Sequence, residues 1–181
     1  MAISTPHRLE DIFFIDEQRG WAVGSGGGHV PNGTLISTVD GGEHWQKVDI
    51  GELPDLFHLH FVNATTGWVA GNRQIFRTTD GGSTWTELPN TQQELILDIT
   101  FADNETGWFI TRLPDRMAGS ADNPIFSYTL NGGATWFCPN KTITSHNAPQ
   151  MRALHFIDTK NGWAAGTQGT LWHTTTGGLP E

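Results

Sequence analysis

Carboxylate and imidazole side chains recur at two fixed places ahead of a repeated phenylalanine. Three residues before it stand Asp11, His58 and Asp98, and immediately before it stand His60 and His155. Side chains of these types can bind a metal ion or a small anion where they converge. One hypothesis is therefore a polar or ion site on the central axis around which the repeated units would be arranged. The interpretation we favour is that they make local hydrogen bonds, which a repeat reproduces without any ligand, and we predict no metal and no cofactor.

Two longer stretches carry a second set of candidate residues. S-G-G-G-H-V-P-N-G contains His29, and R-L-P-D-R-M-A-G-S-A-D-N-P contains Arg112, Asp115 and Arg116. Both stretches interrupt a repeat at equivalent places, so we expect them to emerge on one face, where recognition usually resides. We predict these four side chains as binding residues. The alternative is tolerated variation in loop length.

The elements that must position these residues come from an internal repeat. A phenylalanine followed by Gly-Trp seven positions on forms a marker that ends at Trp21, Trp68, Trp108 and Trp163. Turn residues separate four short strand-like segments in each unit, and helices are not expected. A repeat of this length with four strands and a tryptophan signature is typical of a propeller blade. We predict an all-β fold, a β-propeller of about four four-stranded antiparallel blades, in one domain over residues 1–181 with units at about 9–50, 56–89, 95–137 and 151–178.

A second motif follows each marker and predicts a specific hairpin turn. It reads S-T-V-D-G-G-E-H-W, R-T-T-D-G-G-S-T-W and Y-T-L-N-G-G-A-T-W, and a shorter H-T-T-T-G-G closes the chain. An Asp side chain can accept backbone N–H groups in such a turn, and glycines supply backbone angles that other residues resist. We predict a structural role for Asp40, Trp45, Asp80, Trp85, Asn131 and Trp136. Because a catalytic site is needed once and a hairpin in every blade, no catalytic residue is predicted.

The last unit stops where its outer strand should follow, at about Gly178. An exposed sheet edge needs a cover. Pairing with Ala2–Leu9 is the solution we favour, with Pro6 limiting that segment to an edge role. The alternatives are a homo-oligomer in which a second chain supplies the strand, or a chain that is a fragment of a longer array.

The hairpin motif resembles the Asp-box, or BNR, repeat. With the upstream Gly-Trp marker, the chain is most similar to the photosystem II stability and assembly factor family and its bacterial relatives, over nearly its whole length. The resemblance implies a β-propeller whose Asp-box hairpins are structural elements of the outer rim. It also implies an assembly or interaction scaffold that binds a protein partner and has no enzymatic activity. The family's propellers usually have more blades than the markers here provide.

Asp-box propellers also include sialidases and xyloglucan-degrading hydrolases, so a glycoside hydrolase is the alternative from another class. Sialidase-like chemistry needs a tyrosine nucleophile beside a carboxylate. The one tyrosine, Tyr128, precedes a box threonine, where packing explains it. A carbohydrate-binding lectin lies between scaffold and enzyme, so a glycan ligand stays open.

Charge and composition exclude other classes. The formal net charge of −9, with 10 basic residues against 19 acidic ones, argues against nucleic-acid binding. The single cysteine, Cys138, excludes an intrachain disulfide. Neither a signal peptide nor a membrane span is visible. The compartment is therefore undetermined, cytoplasmic by default or extracytoplasmic after removal of a signal.

Overall fold

Antiparallel β-strands make up nearly all of the regular structure. The computed structural model describes residues 7–27, 32–89, 95–111, 126–138, 149 and 151–178. The only helical element among them is a short 3-10 turn, Thr167–Gly169. In this described part, no helix is long and apolar enough to cross a membrane. The chain divides into two compact units, residues 1–88 and 89–181.

The first unit contains two four-stranded sheets whose strands lie side by side in chain order. Sheet 1 consists of β1 (Arg8–Phe14), β2 (Gly20–Ser25), β3 (Gly33–Thr38) and β4 (Gln46–Lys47). Sheet 2 consists of β5 (Leu56–Phe61), β6 (Gly67–Gly71), β7 (Ile75–Thr78) and β8 (Thr86–Leu88). β6 is buried along its whole length because it is a central strand with a continuous apolar run.

The second unit contains two sheets in which three strands are assigned. Sheet 3 consists of β9 (Ile96–Phe101), β10 (Thr106–Thr111) and β11 (Phe126–Leu130). Sheet 4 consists of β12 (Met151–Phe156), β13 (Gly162–Gly166) and β14 (Leu171–Thr174). Beside β11, Phe137 forms an isolated antiparallel bridge with Tyr128, with backbone hydrogen bonds of 2.8 and 2.9 Å. This bridge stands where sheets 1 and 2 have a fourth strand.

The sheets confirm the predicted all-β, propeller-type fold with four antiparallel blades. The segment predicted to cover the edge of the last sheet lies only partly within the described residues. Its last two members, Arg8 and Leu9, belong to β1 and pair with Ser25 and Gly24. Coverage of that edge and the single domain over residues 1–181 stay predictions.

The Phe and Gly-Trp marker forms the hairpin between the first two strands of each sheet. In sheet 2, Phe61 pairs with Gly67 across the hairpin, and the phenyl ring lies directly over the glycine. A side chain at Gly67 would overlap the ring, which explains glycine at this position. The turn between them is closed by Asn63, whose side-chain oxygen accepts the N–H groups of Thr65 and Thr66 at 2.9 Å.

The other three marker turns are closed by carboxylates in the same way. The N–H donors lie two and three residues after Asp16, Asp103 and Asp158, at 2.6–2.9 Å. Hydrogen bonds to a carboxylate favour its charged form. The Arg19 side chain therefore lowers the pKa of Asp16, and the Asn161 side chain lowers the pKa of Asp158.

A register irregularity interrupts the first strand of every sheet one residue before the polar column. In sheet 1 the irregularity lies between Leu9 and Asp11, and in sheet 4 it lies between Met151 and Ala153. A β-bulge locally turns the strand and redirects the next side chain. In sheet 1 the irregularity immediately precedes Asp11, whose side chain bonds the neighbouring sheet.

Candidate functional site

Asp11 joins the two sheets of the first unit. Its Oδ2 accepts the backbone N–H of Leu59 on β5 at 3.0 Å, and its Oδ1 accepts the N–H of Ile12 at 2.8 Å. Both oxygens therefore bind backbone donors, one on each sheet. The contact spans 48 residues of sequence.

Asp98 joins the two sheets of the second unit in the same way. Its Oδ2 accepts the N–H of Leu154 on β12 at 2.6 Å, and its Oδ1 accepts the N–H of Ile99 at 2.8 Å. Leu59 and Leu154 occupy matching positions, two residues before the marker phenylalanine. We call this contact the inter-sheet carboxylate bond. At the same place in sheets 2 and 4 the chain has His58 and Ala153.

The three histidines of the column have different surroundings. His58 and His60 lie half-buried on β5, the strand that Asp11 contacts, and the His60 ring centroid is 5.8 Å from that of Phe13. His155 is exposed on β12, the strand that Asp98 contacts. Within each unit the column residues thus lie on or against the same strand. An ion shared by Asp11, His58, His60, Asp98 and His155 stays an untested hypothesis, and local hydrogen bonding stays the interpretation we favour.

The box aspartates close their turns by hydrogen bonds. Asp80 Oδ1 accepts the N–H of Thr84 at 2.9 Å and the hydroxyl of Thr78 at 2.8 Å, and Oδ2 accepts the hydroxyl of Thr84 at 2.6 Å. These bonds, the Thr84 hydroxyl first, lower the pKa of Asp80 to about 2. In the first box the His44 N–H, the Thr38 hydroxyl and the His44 ring lower the pKa of Asp40 to about 2.

The anchor that all four boxes share is a threonine, two residues before the position held by Asp40, Asp80, Asn131 or Thr176. Its hydroxyl oxygen accepts the N–H of the second box glycine at 2.9–3.0 Å in every copy, from Thr38, Thr78, Thr129 and Thr174. The first three of these threonines are buried, at 0–3% exposure. The four aligned motifs all have threonine there, but threonine is common in strands and the motif alone does not indicate this role.

Each box is also bonded to the marker turn of its own sheet. The N–H of the first box glycine donates to a marker carbonyl at 2.7–2.8 Å in all four copies, as Gly81 does to Thr65. The box glycines have positive φ, with Gly81 at 71° and Gly82 at 84°, a region that favours glycine. Box and marker thus form one connected structural element.

The box tryptophans lie against the marker phenylalanines. The ring centroids are 5.9–6.0 Å apart and the rings are nearly perpendicular in the pairs Phe14–Trp45, Phe61–Trp85 and Phe101–Trp136. Edge-to-face contact of this kind is a favourable aromatic geometry. In the first two boxes the indole N–H also donates to the carbonyl of Gly42 or Gly82 at 3.2 and 3.1 Å.

One group in the first box combines three residue types that can bind a metal ion. Ligand atoms of Asp40, Glu43 and His44 lie within 4.8 Å of one another, and His44 Nδ1 is 2.7 Å from Asp40 Oδ2. Glu43 and His44 are exposed to solvent. The hydrogen bonds of the turn already account for the position of Asp40, so the group is explained as part of the hairpin.

The four predicted loop residues, His29, Arg112, Asp115 and Arg116, lie outside the described residues. The structure therefore leaves their role in binding as a prediction.

The repeated sheets and their threonine-anchored boxes define an Asp-box β-propeller protein. The sequence model of the family described as Photosynthesis system II assembly factor YCF48 matches residues 1–94, and the chain belongs to this family. No curated protein matches significantly.

Solved structures with the same fold include an assembly factor, a hydrolase and a designed protein. The structure "YCF48 bound to D1 peptide" is 17% identical with a TM-score of 0.57, covering 99% of this chain and 81% of that one. The GH74 xyloglucanase from Xanthomonas campestris is 10% identical with a TM-score of 0.67, covering 92% of this chain but 29% of that one. The computationally designed Ika4 protein is 14% identical with a TM-score of 0.62, covering 96% and 94%. At these identities the likeness is one of fold.

Proposed function

We propose that the chain is a non-catalytic scaffold that binds a protein partner during the assembly of a larger complex. Membership of an assembly-factor family supports this proposal. A solved structure of the same fold, YCF48, is described as bound to a D1 peptide. The partner that we propose is accordingly a peptide segment of a complex subunit, bound by the stretches that interrupt the repeat and supported by the framework of sheets.

The observation that carries the proposal is that the repeated polar residues make hydrogen bonds within the fold. Asp11 and Asp98 bond neighbouring sheets, and Asp40 and Asp80 close box turns. Within each pair, the two aspartates make the same kind of hydrogen bond at equivalent places in the repeat. Chemistry-bearing residues that recur with the fold stabilise the framework, and recognition is then left to the parts that differ between units.

The proposed binding residues are His29, Arg112, Asp115 and Arg116, in the two stretches that interrupt the repeat. Arginine forks recognise carboxylates with two parallel hydrogen bonds. The expected partner segment therefore carries a carboxylate, either in a side chain or at a free C-terminus.

Fluorescence anisotropy with a labelled D1 peptide tests the proposal. We expect saturable binding by the intact chain and at least a tenfold loss in the double variant Arg112→Glu with Arg116→Glu, equal to about 1.4 kcal/mol. Lys47→Glu is the matched control, because Lys47 is an exposed base on β4. An equal loss in the control would assign the effect to overall charge, and absence of binding by the intact chain would refute this partner.

Hydrolysis assays test the non-catalytic half of the proposal. Aryl sialosides and xyloglucan oligosaccharides are the substrates of the two enzyme alternatives, and we expect no turnover of either. Tyr128 stacks on Phe137 with ring centroids 5.5 Å apart, an arrangement that supports a packing role. Hydrolysis of a substrate by the intact chain, with loss of that activity in the Tyr128→Phe variant, would contradict the proposal.

A further inference from the structure

One tight turn of sheet 2 holds an arginine in a backbone conformation that favours glycine. β6 ends at Gly71 and β7 begins at Ile75, and the Gly71 N–H donates to the carbonyl of Gln74 at 3.1 Å. Within this turn Arg73 has a φ of 69° and is exposed to solvent. Most side chains cost free energy at such an angle, and residues that are kept there against this cost cluster at functional sites.

The shape of the turn does not require arginine. The corresponding turn of sheet 4, between β13 and β14, also has positive φ, at Gln168 with 60° and at Gly169 with 70°. Within the described ranges, Arg73 and Gln168 are the two non-glycine residues with positive φ, and both lie in these turns. The left-handed backbone is therefore a property of the turn, and glycine would adopt it without strain. What arginine adds is its side chain.

A second polar group beside the same turn is incompletely bonded. The Asn72 N–H donates to the carbonyl of Asp55 at 2.9 Å, so Asp55 lies against the turn. The Asp55 side chain is only partly buried, yet in the described part of the chain its Oδ1 is shielded from water and has no hydrogen-bond partner. A shielded polar atom without a partner costs free energy. Two neighbouring residues, Arg73 and Asp55, are therefore both kept at a cost.

The segment that contains Asp55 also contacts one of the stretches that interrupt the repeat. Gly33 is the last residue of the stretch with His29 and the first residue of β3. Its N–H donates to the carbonyl of Leu53 at 2.9 Å, and Leu53 is two residues before Asp55. The turn of Arg73 therefore lies close to the place where that stretch rejoins its sheet, within the first unit.

We propose that Arg73 and Asp55 bind the main chain of the partner segment. This inference rests on the proposed function and adds a site within the described part of the first unit. The Arg73 guanidinium donates to a peptide carbonyl of the partner. Because a guanidinium has several N–H donors, contacts within the chain leave donors for this bond. The Asp55 carboxylate accepts a peptide N–H from its exposed side.

The chemistry of the two side chains favours a peptide as the occupant. Their charges are opposite, so together they offer a donor and an acceptor with no net charge. Each residue of an extended peptide presents the complementary pair, one carbonyl and one N–H. Main-chain hydrogen bonds of this kind supply affinity, while neighbouring contacts with side chains supply specificity. The site therefore recognises an extended backbone rather than a particular side chain.

Fluorescence anisotropy with the labelled D1 peptide and the intact chain tests the site. Arg73→Gly and Asp55→Ala should each weaken binding at least roughly tenfold, as expected for loss of a hydrogen bond to a charged group. Asp55→Asn keeps an acceptor oxygen and should retain more of the affinity. Lys47→Ala removes one exposed base from the same unit, so it is the matched control and should leave binding unchanged.

Peptides that are N-methylated at single residues identify the peptide group that Asp55 binds. Each methyl group removes one N–H donor. Methylation at one position should weaken binding to the intact chain roughly tenfold, yet have no further effect on binding to Asp55→Ala. Equal losses for the two proteins at every position would overturn the role of Asp55.

Thermal unfolding without peptide separates a binding role from a structural one. Arg73→Gly should not lower the melting temperature, because glycine adopts positive φ without strain. Asp55→Ala should not lower it either, because the substitution removes the shielded oxygen that has no partner. A clear fall in either variant would show that the side chain stabilises the fold, and would overturn its role in this site.

The binding results separate failure of this site from failure of the proposed function. Binding by the intact chain with unchanged affinity in Arg73→Gly would overturn the site and leave the proposed function standing. Absence of binding by the intact chain would refute the proposed partner, and this site with it.

Discussion

The boxes of the first unit use carboxylates, whereas those of the second unit use an amide and a hydroxyl. Asp80 accepts three hydrogen bonds from two threonines. Asn131 accepts two of the same kind, and its Nδ2 donates to the Thr135 hydroxyl at 2.8 Å. All the turns keep the bond from the second glycine to the upstream threonine. The comparison shows that the threonine hydrogen bond is common to all the turns, and that the aspartate adds hydrogen bonds to a charged carboxylate.

The inter-sheet carboxylate bond is common to both units, and its loss should be the largest effect. We expect Asp11→Ala and Asp98→Ala each to lower the free energy of unfolding by about 1.5–3 kcal/mol, the usual range for hydrogen bonds to a charged group. Urea denaturation measures it, with Asp98→Asn as the control that retains an acceptor oxygen. A large loss in one unit and none in the other would show that the two bonds are not equivalent.

The box threonine should have the next largest effect, and a larger one in the first unit. Thr78→Val keeps the shape but leaves the buried Gly82 N–H without its acceptor, so we expect a loss of about 1–3 kcal/mol. Thr174→Val should cost less, because Thr174 is only partly buried and water can replace the lost partner. Thr78→Ser should retain most of the stability. Equal losses at Thr78 and Thr174 would contradict this ranking.

Among the boxes, acid should act on the two of the first unit. The pKa of Asp40 and of Asp80 is about 2 in the folded chain, against an ordinary value of 3.8. The unfolded chain therefore binds more protons in this window, so their stabilisation is complete above about pH 4 and is lost as the pH falls towards 2. Asp40→Asn with Asp80→Asn should flatten the fall in unfolding free energy between those values. An unchanged pH profile would refute the role of these two carboxylates.

The smallest expected effect comes from giving the second unit a carboxylate. Asn131→Asp should let the Thr135 hydroxyl donate, as Thr84 donates to Asp80, and charge-assisted bonds are stronger than neutral ones. We expect a gain of about 0.5–1 kcal/mol at neutral pH that disappears on acidification. Melting curves at neutral and acidic pH measure it. A gain that persists in acid would have another cause.

The repeat made the blades and box hairpins predictable from sequence. Four markers with turn residues between short apolar segments are enough to define antiparallel sheets. The role of Asp80 in accepting hydrogen bonds within the turn was also predictable, because an Asp before two glycines is typical of such turns. Thr78 is harder to identify from sequence, because threonine is common in strands and a second threonine, Thr79, follows it.

Other features needed three-dimensional coordinates. The inter-sheet partners of Asp11 and Asp98 are backbone groups 48 and 56 residues away, and a backbone N–H leaves no trace in the sequence. The greater exposure of Trp163 and Phe14 could not be found either, since both belong to markers that look complete. Only their exposure separates them from the buried copies.

The inter-sheet carboxylate bond also has a consequence for how such a chain can be lengthened or shortened. It occurs at Asp11 and Asp98, while the matching positions hold His58 and Ala153, so its period is two sheets and not one. A gene segment encoding one sheet would carry half of the bond, whereas a segment encoding two would carry all of it. The natural unit for duplication, exchange or design in this protein is therefore a pair of blades.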